Sequence, residues 1–134
     1  MPMHVELVSP ERILWTGEAD MVVARTTEGD IAFLANHAPF IGALGIGVVT
    51  VEEPGGRQTK VAVHGGFVEV SNNSVNILSD VAELSDQIDR ERALRAKERA
   101  EAALIHEATA EHTAALARAH ARLNATGGLG AAVR

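Results

Sequence analysis

The sequence predicts a β-plus-α chain: an N-terminal β-sandwich of about ten strands followed by an antiparallel two-helix hairpin. Two observations carry this. From residue 3 to about 84, apolar residues alternate in short Val-, Ile- and Thr-rich runs separated by turn formers. After Asp86 the text changes to Ala, Glu, Arg and Leu, with no Gly or Pro from 88 to 125.

Met3 to Val8 alternates, and so do Lys60 to Val63, Phe67 to Val70 and Val75 to Leu78. Ser9-Pro10, Glu28-Gly29, Pro54-Gly55-Gly56 and Ser71-Asn72-Asn73 punctuate the runs. Asn tolerates the left-handed conformation, so Asn72-Asn73 between two alternating segments reads as a tight hairpin turn. Asp86 or Asp89 caps the first helix, Thr109 caps the second after a break at His106 to Thr109, and Gly127-Gly128 ends it. The resulting division is a sandwich over residues 1–85, a hairpin over 86–126 and a loose Gly/Ala-rich tail over 127–134.

The helices carry an alanine stripe. Ala93, Ala96, Ala100 and Ala103 share one face of the first, and Ala110, Ala114, Ala117 and Ala121 share one face of the second. Methyl faces permit close approach but bury little apolar area, which fits a separable element held weakly. Compositional bias toward alanine would produce the same stripe.

An apolar fraction of 46% supports a real core, and a formal charge of −6 disfavours nucleic-acid binding. The absence of cysteine removes a disulfide framework, a thiolate zinc site and a cysteine nucleophile. No signal or transit peptide is visible, and no apolar run is long enough to span a bilayer, so membrane association is expected through a partner and not by direct insertion. No phosphate loop, Gly-x-Ser-x-Gly elbow or His-Glu-x-x-His motif occurs. His37 and His64 lie among apolar residues and read as structural histidines bonded to backbone carbonyls, against a catalytic base. These observations point away from an enzyme.

One constellation points to a ligand. Arg92 and Arg99 are seven residues apart, with Asp89 just before them, and Arg118 and Arg122 are four apart on the second helix. Closure of the hairpin would converge four guanidiniums, a geometry suited to a phosphate anion. The alternative is a solvated face with local pairs such as Glu91–Arg95 and Asp89–Arg92.

Taken together, Val8 to Pro10, Glu28 to Asp30 leading to His37-Ala38-Pro39, Gly65 to Val70, Val75 to Asp80 and Ile88 to Ala93 resemble the epsilon subunit of F-type ATP synthases. The order and spacing of these segments make the resemblance specific. It departs at Ala32 to Asn36, where the family usually reads Gly-Ile-Leu-Pro-Gly. The resemblance implies a sandwich that grips the gamma subunit and rests against the membrane-embedded rotor ring. It implies a non-catalytic subunit, peripheral on the cytoplasmic side of the bacterial inner membrane, that couples proton transport to ATP synthesis. It implies a hairpin that folds on the sandwich or extends toward the alpha/beta catalytic head to inhibit hydrolysis. No covalent cofactor and no metal are implied, with ATP as the regulatory ligand. Its site falls on Ile88, Asp89, Arg92 and Ala93, intact here, together with Glu83, Arg99, Arg118 and Arg122. Asp30 and His37 fall at the end that meets ring and gamma, against plain readings as a turn acid and a core histidine. A sandwich-type binding module with a dimerisation hairpin is the reading from another class.

Overall fold

Met3, Val5 and Leu7 are buried while His4 faces solvent, and this alternation makes the first strand, β1 (Met3–Val8), one wall of a core. In the computed structural model, which describes residues 2–127, it is followed by β2 (Ile13–Ala19), β3 (Met21–Thr26), β4 (Gly29–Leu34), β5 (Phe40–Glu52), β6 (Gln58–Ser71), β7 (Ser74–Leu78) and β8 (Ala82–Leu84). A short 3-10 turn (Ser85–Gln87) leads to α1 (Arg90–His106) and α2 (Ala110–Ala125). Apart from Gly127, the expected loose tail lies outside the described residues.

The strands run in the order β2-β1-β7-β6-β5-β3-β4, with β8 added on β6. Among the described residues, only β1 and β7 pair in parallel. The count among the described residues is eight because β5 and β6 are long, 13 and 14 residues, and each serves both layers of the sandwich. Their burial shows the passage. Along β5 the inward positions change from Leu44 to Val49 and Val51; along β6 they change from Val61 and Val63 to Val68 and Val70. Both changes of parity flank Gly45 and Gly65-Gly66, where the ladder skips from Leu44↔Gly66 to Ile46↔His64. Gly65 and Gly66 have φ of 96° and 122°, and a Cβ on Gly66 would lie 2.0 Å from the Leu78 carbonyl oxygen. The bend therefore requires glycine.

Phe33, Val22, Val49, Val63, Val68, Val75 and Ile77 fill the space between the layers. The expected Asn72-Asn73 turn is present, with φ of 50° and 58° closing β6 on β7 through Ser71↔Ser74. Asn73 also accepts, at its Oδ1, a 2.6 Å hydrogen bond from the Asn36 backbone N–H, tying this turn to the loop after β4.

The parity change leaves Ile46 and Val48 of β5 and Ala62 of β6 on the outer face, and α2 covers them. Ala121 and Ala125 pack there with Ile88, so α2 lies between the sheet and α1, while α1 packs chiefly on α2. This differs from the expected stripe. Ala121 faces the sheet, Ala110 is exposed, and Ala119, Leu123 and Ala125 are buried, because α2 buries two sides where α1 buries one. On α1, Ala93 and Ala100 are buried as the spacing predicts. Asp89, rather than Asp86, caps α1 by accepting from the Arg92 N–H, and Thr109 caps α2 by accepting from the His112 N–H.

Candidate functional site

The chain leaves the sandwich through β8, whose register sets Glu83 opposite Ala62 and hence on the face under α2. Arg122, one residue after Ala121, reaches down to it: its Nε donates to Glu83 Oε1 over 2.6 Å. Both side chains are about two-thirds covered, so this charge-assisted bond is shielded but not dry. A cleft of about 330 Å³ opens beside the pair, between the 3-10 turn and both helices. Arg92 and Arg99 of α1 line one wall, separated by Ala96, so that positions one and two turns apart present a single stripe. Ile88, Ala93 and Ala96 supply apolar lining; Gln87, Asp89 and Glu83 complete it.

The start of α1 also borders this space. Asp89 satisfies the Arg92 N–H at 3.1 Å, and it acts there as a cap, not as the ion-pair partner of the Arg92 guanidinium. Neither of the local pairs Glu91–Arg95 and Asp89–Arg92 forms among the described residues, and the Arg92 and Arg99 guanidiniums there have no carboxylate within ion-pair distance. Two unpaired guanidiniums with a third held by Glu83 make a cationic wall that a multiply charged anion would neutralise. Arg118 is placed differently: its Nη2 lies 2.8 Å from Glu111 Oε1, and it does not line the cleft. Of the residues singled out in the sequence, the structure thus brings together Glu83, Ile88, Asp89, Arg92, Ala93, Arg99 and Arg122.

Beneath the Glu83–Arg122 pair lies His64, whose side chain is 6% exposed. Its Nε2 is 3.8 Å from Glu83 Oε1 and has no hydrogen-bond partner among the described residues. This corrects the reading of His64 as bonded to a carbonyl. Burial lowers its pKa from the ordinary 6.5, Arg122 and Arg118 lower it further, and Glu83 acts in the opposite direction. Sequence reasoning missed His64 as a neighbour of the site, because only the β6–β8 register and the glycine bend turn it toward Glu83. Gln87 was missed too, although its place directly before Ile88-Asp89 was a usable signal.

His37 matches its structural reading. Its Nδ1 lies 2.7 Å from the Ala38 carbonyl oxygen, and its ring stands edge-on to buried Phe33, with centroids 5.0 Å apart. Asp30 is paired with Arg25 over 3.1 Å at the start of β4. The two lie at opposite ends of β4 rather than at one end, since an extended strand carries the chain away from Asp30 before the turn to His37. A feature not anticipated is the uncovered outer face formed by the start of β5, the end of β6 and β7. There Phe67 pairs in register with Leu78, Ile41 lies on the neighbouring strand, and all three are exposed, Ile41 by 71%.

A family model described as the ATP synthase Delta/Epsilon chain beta-sandwich domain matches residues 2–85. The ATP synthase epsilon chain of Streptomyces avermitilis is 47% identical over 112 residues, covering 84% of this chain and 89% of that one. The epsilon chain of Thermobifida fusca is 45% identical over 127 residues, covering 92% and 90%. Among solved structures, a chain of the Euglena gracilis mitochondrial ATP synthase, in its OSCP/F1/c-ring assembly, superimposes with a TM-score of 0.71. That likeness has 24% identity over 99% of this chain and 82% of the other, and it supports the fold. By the match to its sandwich and by its similarity to these relatives over most of their length, the chain belongs to the ATP synthase epsilon chain family.

Proposed function

We propose that the chain is a non-catalytic subunit of the ATP synthase rotor stalk in which the sandwich is the anchor and the hairpin is an ATP-controlled brake on hydrolysis. The cleft carries this reading. Arg92, Arg99 and Arg122 converge from two helices beside the last strand of the sandwich. A nucleotide triphosphate bound there bridges α1, α2 and β8, and so stabilises the folded hairpin over any extended form in which these elements separate. Arg118, one turn from Arg122 on α2, joins the phosphates by leaving Glu111. When ATP is scarce the hairpin is released, extends toward the alpha/beta catalytic head and blocks hydrolysis.

The exposed Ile41, Phe67 and Leu78 face suits an anchor on the gamma subunit, and Asp30 at the start of β4 and the loop carrying His37 suit the rotor ring and gamma. The family and the Euglena neighbour's assembly with F1 and c-ring support these partners. No helix among the described residues is long and apolar enough to cross a membrane. Attachment through those partners gives a peripheral position on the cytoplasmic side of the bacterial inner membrane.

Calorimetric titration of the isolated chain with ATP tests the site. Arg92→Ala and Arg122→Ala should each weaken binding by about tenfold or more, because each removes a charge-assisted bond. Unchanged affinity in both variants would sink the assignment. The isolated chain should release no phosphate from ATP on prolonged incubation.

A further inference from the structure

Glu83, Arg122 and His64 form a layered cluster in which one carboxylate oxygen serves two cationic candidates. Oε1 of Glu83 accepts from Arg122 at 2.6 Å and lies 3.8 Å from Nε2 of His64. Arg122 borders the cleft on one side; His64 lies under the helix, almost wholly covered, with Nε2 unsatisfied. The charged groups acting on His64 are Glu83 from β8 and Arg122 and Arg118 from α2. From β5 its ladder partner is Ile46, which does not ionise, and its backbone N–H donates to the Val81 carbonyl. A buried histidine beside two arginines and a carboxylate already engaged is held neutral.

That balance depends on Arg122 staying with Glu83. A polyphosphate anion in the cleft competes for the same guanidinium and supplies more negative charge than one carboxylate. When Arg122 turns to the phosphates, Glu83 loses its counter-ion in a shielded place, where an unpaired carboxylate is costly. The nearest group able to restore the pairing is His64.

We propose that His64 is a positioning residue of the anion cleft, taking a proton on Nε2 to replace Arg122 beside Glu83 when a nucleoside polyphosphate recruits Arg122. The proton comes from solvent. Glu83 keeps one cationic partner through the exchange, Arg122 before and the His64 imidazolium after, and the protein gains the one proton and one positive charge taken from solvent while Arg122 pairs with the phosphates. Ligand binding and proton uptake are therefore linked, and affinity through this group rises as the pH falls between the free and bound pKa of His64, by at most about tenfold per pH unit. The proposal rests on the cleft binding ATP, as above.

The test is an NMR titration of the His64 imidazole in the full-length chain, with and without saturating ATP, beside calorimetry of wild type and His64→Gln in buffers of different ionisation enthalpy. His64 should titrate below 6.5 in the free protein and at a higher pH with ATP bound. Wild type should take up more protons than His64→Gln, approaching about one more per site; ionisation of ATP itself contributes to both and cancels in the difference. If ATP binds and the His64 pKa does not rise, the proposal is overturned while the cleft assignment stands. If ATP does not bind, the cleft assignment fails and the proposal falls with it.

Discussion

The Nε of Arg122 donates to Oε1 of Glu83 over 2.6 Å, linking α2 to β8 across 39 residues of sequence. The bond is made where α2 meets the sheet through Ala121 and Ala125, surfaces that bury little area per residue. The ion pair therefore adds a specific, partly shielded link to the small apolar contact that seats α2 on the sheet.

Removing either partner should loosen α2 without unfolding the sandwich. A double-mutant cycle with Glu83→Gln and Arg122→Gln, read by hydrogen exchange of the α2 amides, should give a coupling of about 1–3 kcal/mol. Exchange in β5 and β6 should be little altered. Additive effects of the two substitutions would show that the pair does not hold the helix.

Acid should weaken the folded form through His64. Its folded pKa is depressed below the unfolded value of 6.5, so neutral His64 contributes stability that is complete above that value and lost as the pH falls through the folded pKa. The thermal midpoint of the ATP-free protein should decline over this range, and His64→Gln should flatten that part of the profile. Equal slopes in both proteins would assign the acid sensitivity to other groups.

Alanine at the helix–sheet contact should be a size limit. Ala121→Leu adds a side chain where Ala121 packs with Ala62, Ile46 and Val48. Overpacking of this kind costs about 1–3 kcal/mol. The expected result is a hairpin displaced from a folded sandwich, seen as a larger radius of gyration in solution scattering with β-sheet circular dichroism retained.

The glycine bend should tolerate no side chain at residue 66. Gly66→Ala combines a positive φ with a Cβ 2.0 Å from the Leu78 carbonyl oxygen. A loss of at least about 3 kcal/mol in denaturant unfolding is expected. Gly55→Ala, with no atom within 4 Å of its Cβ, should cost less despite its own positive φ.

Cutting the chain after Asp86 should separate anchor from brake. The main core is built entirely from strand residues, closed by Ala82 and Leu84 at its margin. The truncated protein should stay folded, bind the gamma subunit and leave ATP hydrolysis by the assembled complex higher or insensitive to the subunit. Phe67→Asp, on the exposed outer face, should instead lose gamma binding while remaining folded. Unfolding of the truncation would end the division of labour.

The sequence by itself determined the two-part architecture, the Asn72-Asn73 turn, the Thr109 cap and the Arg92–Arg99 stripe. Each depends on period, local backbone preference or helical spacing, which act over a few residues. It also contained the motif from Ile88 to Ala93, so the cleft's α1 wall was legible before any packing was known. Tertiary structure decided the rest. Whether β5 and β6 were two strands or four depended on Gly45 and Gly65-Gly66 bending a continuous ladder, and alternation cannot distinguish a bend from a break. Which side of α2 its alanines serve depended on the sheet competing with α1 for the same helix. Arg118 and Arg122 share a helix face, yet one meets Glu111 seven residues back and the other Glu83 in the sandwich. His64 became part of the cluster only because the β6–β8 register set Glu83 beside it, a long-range pairing that local sequence does not encode.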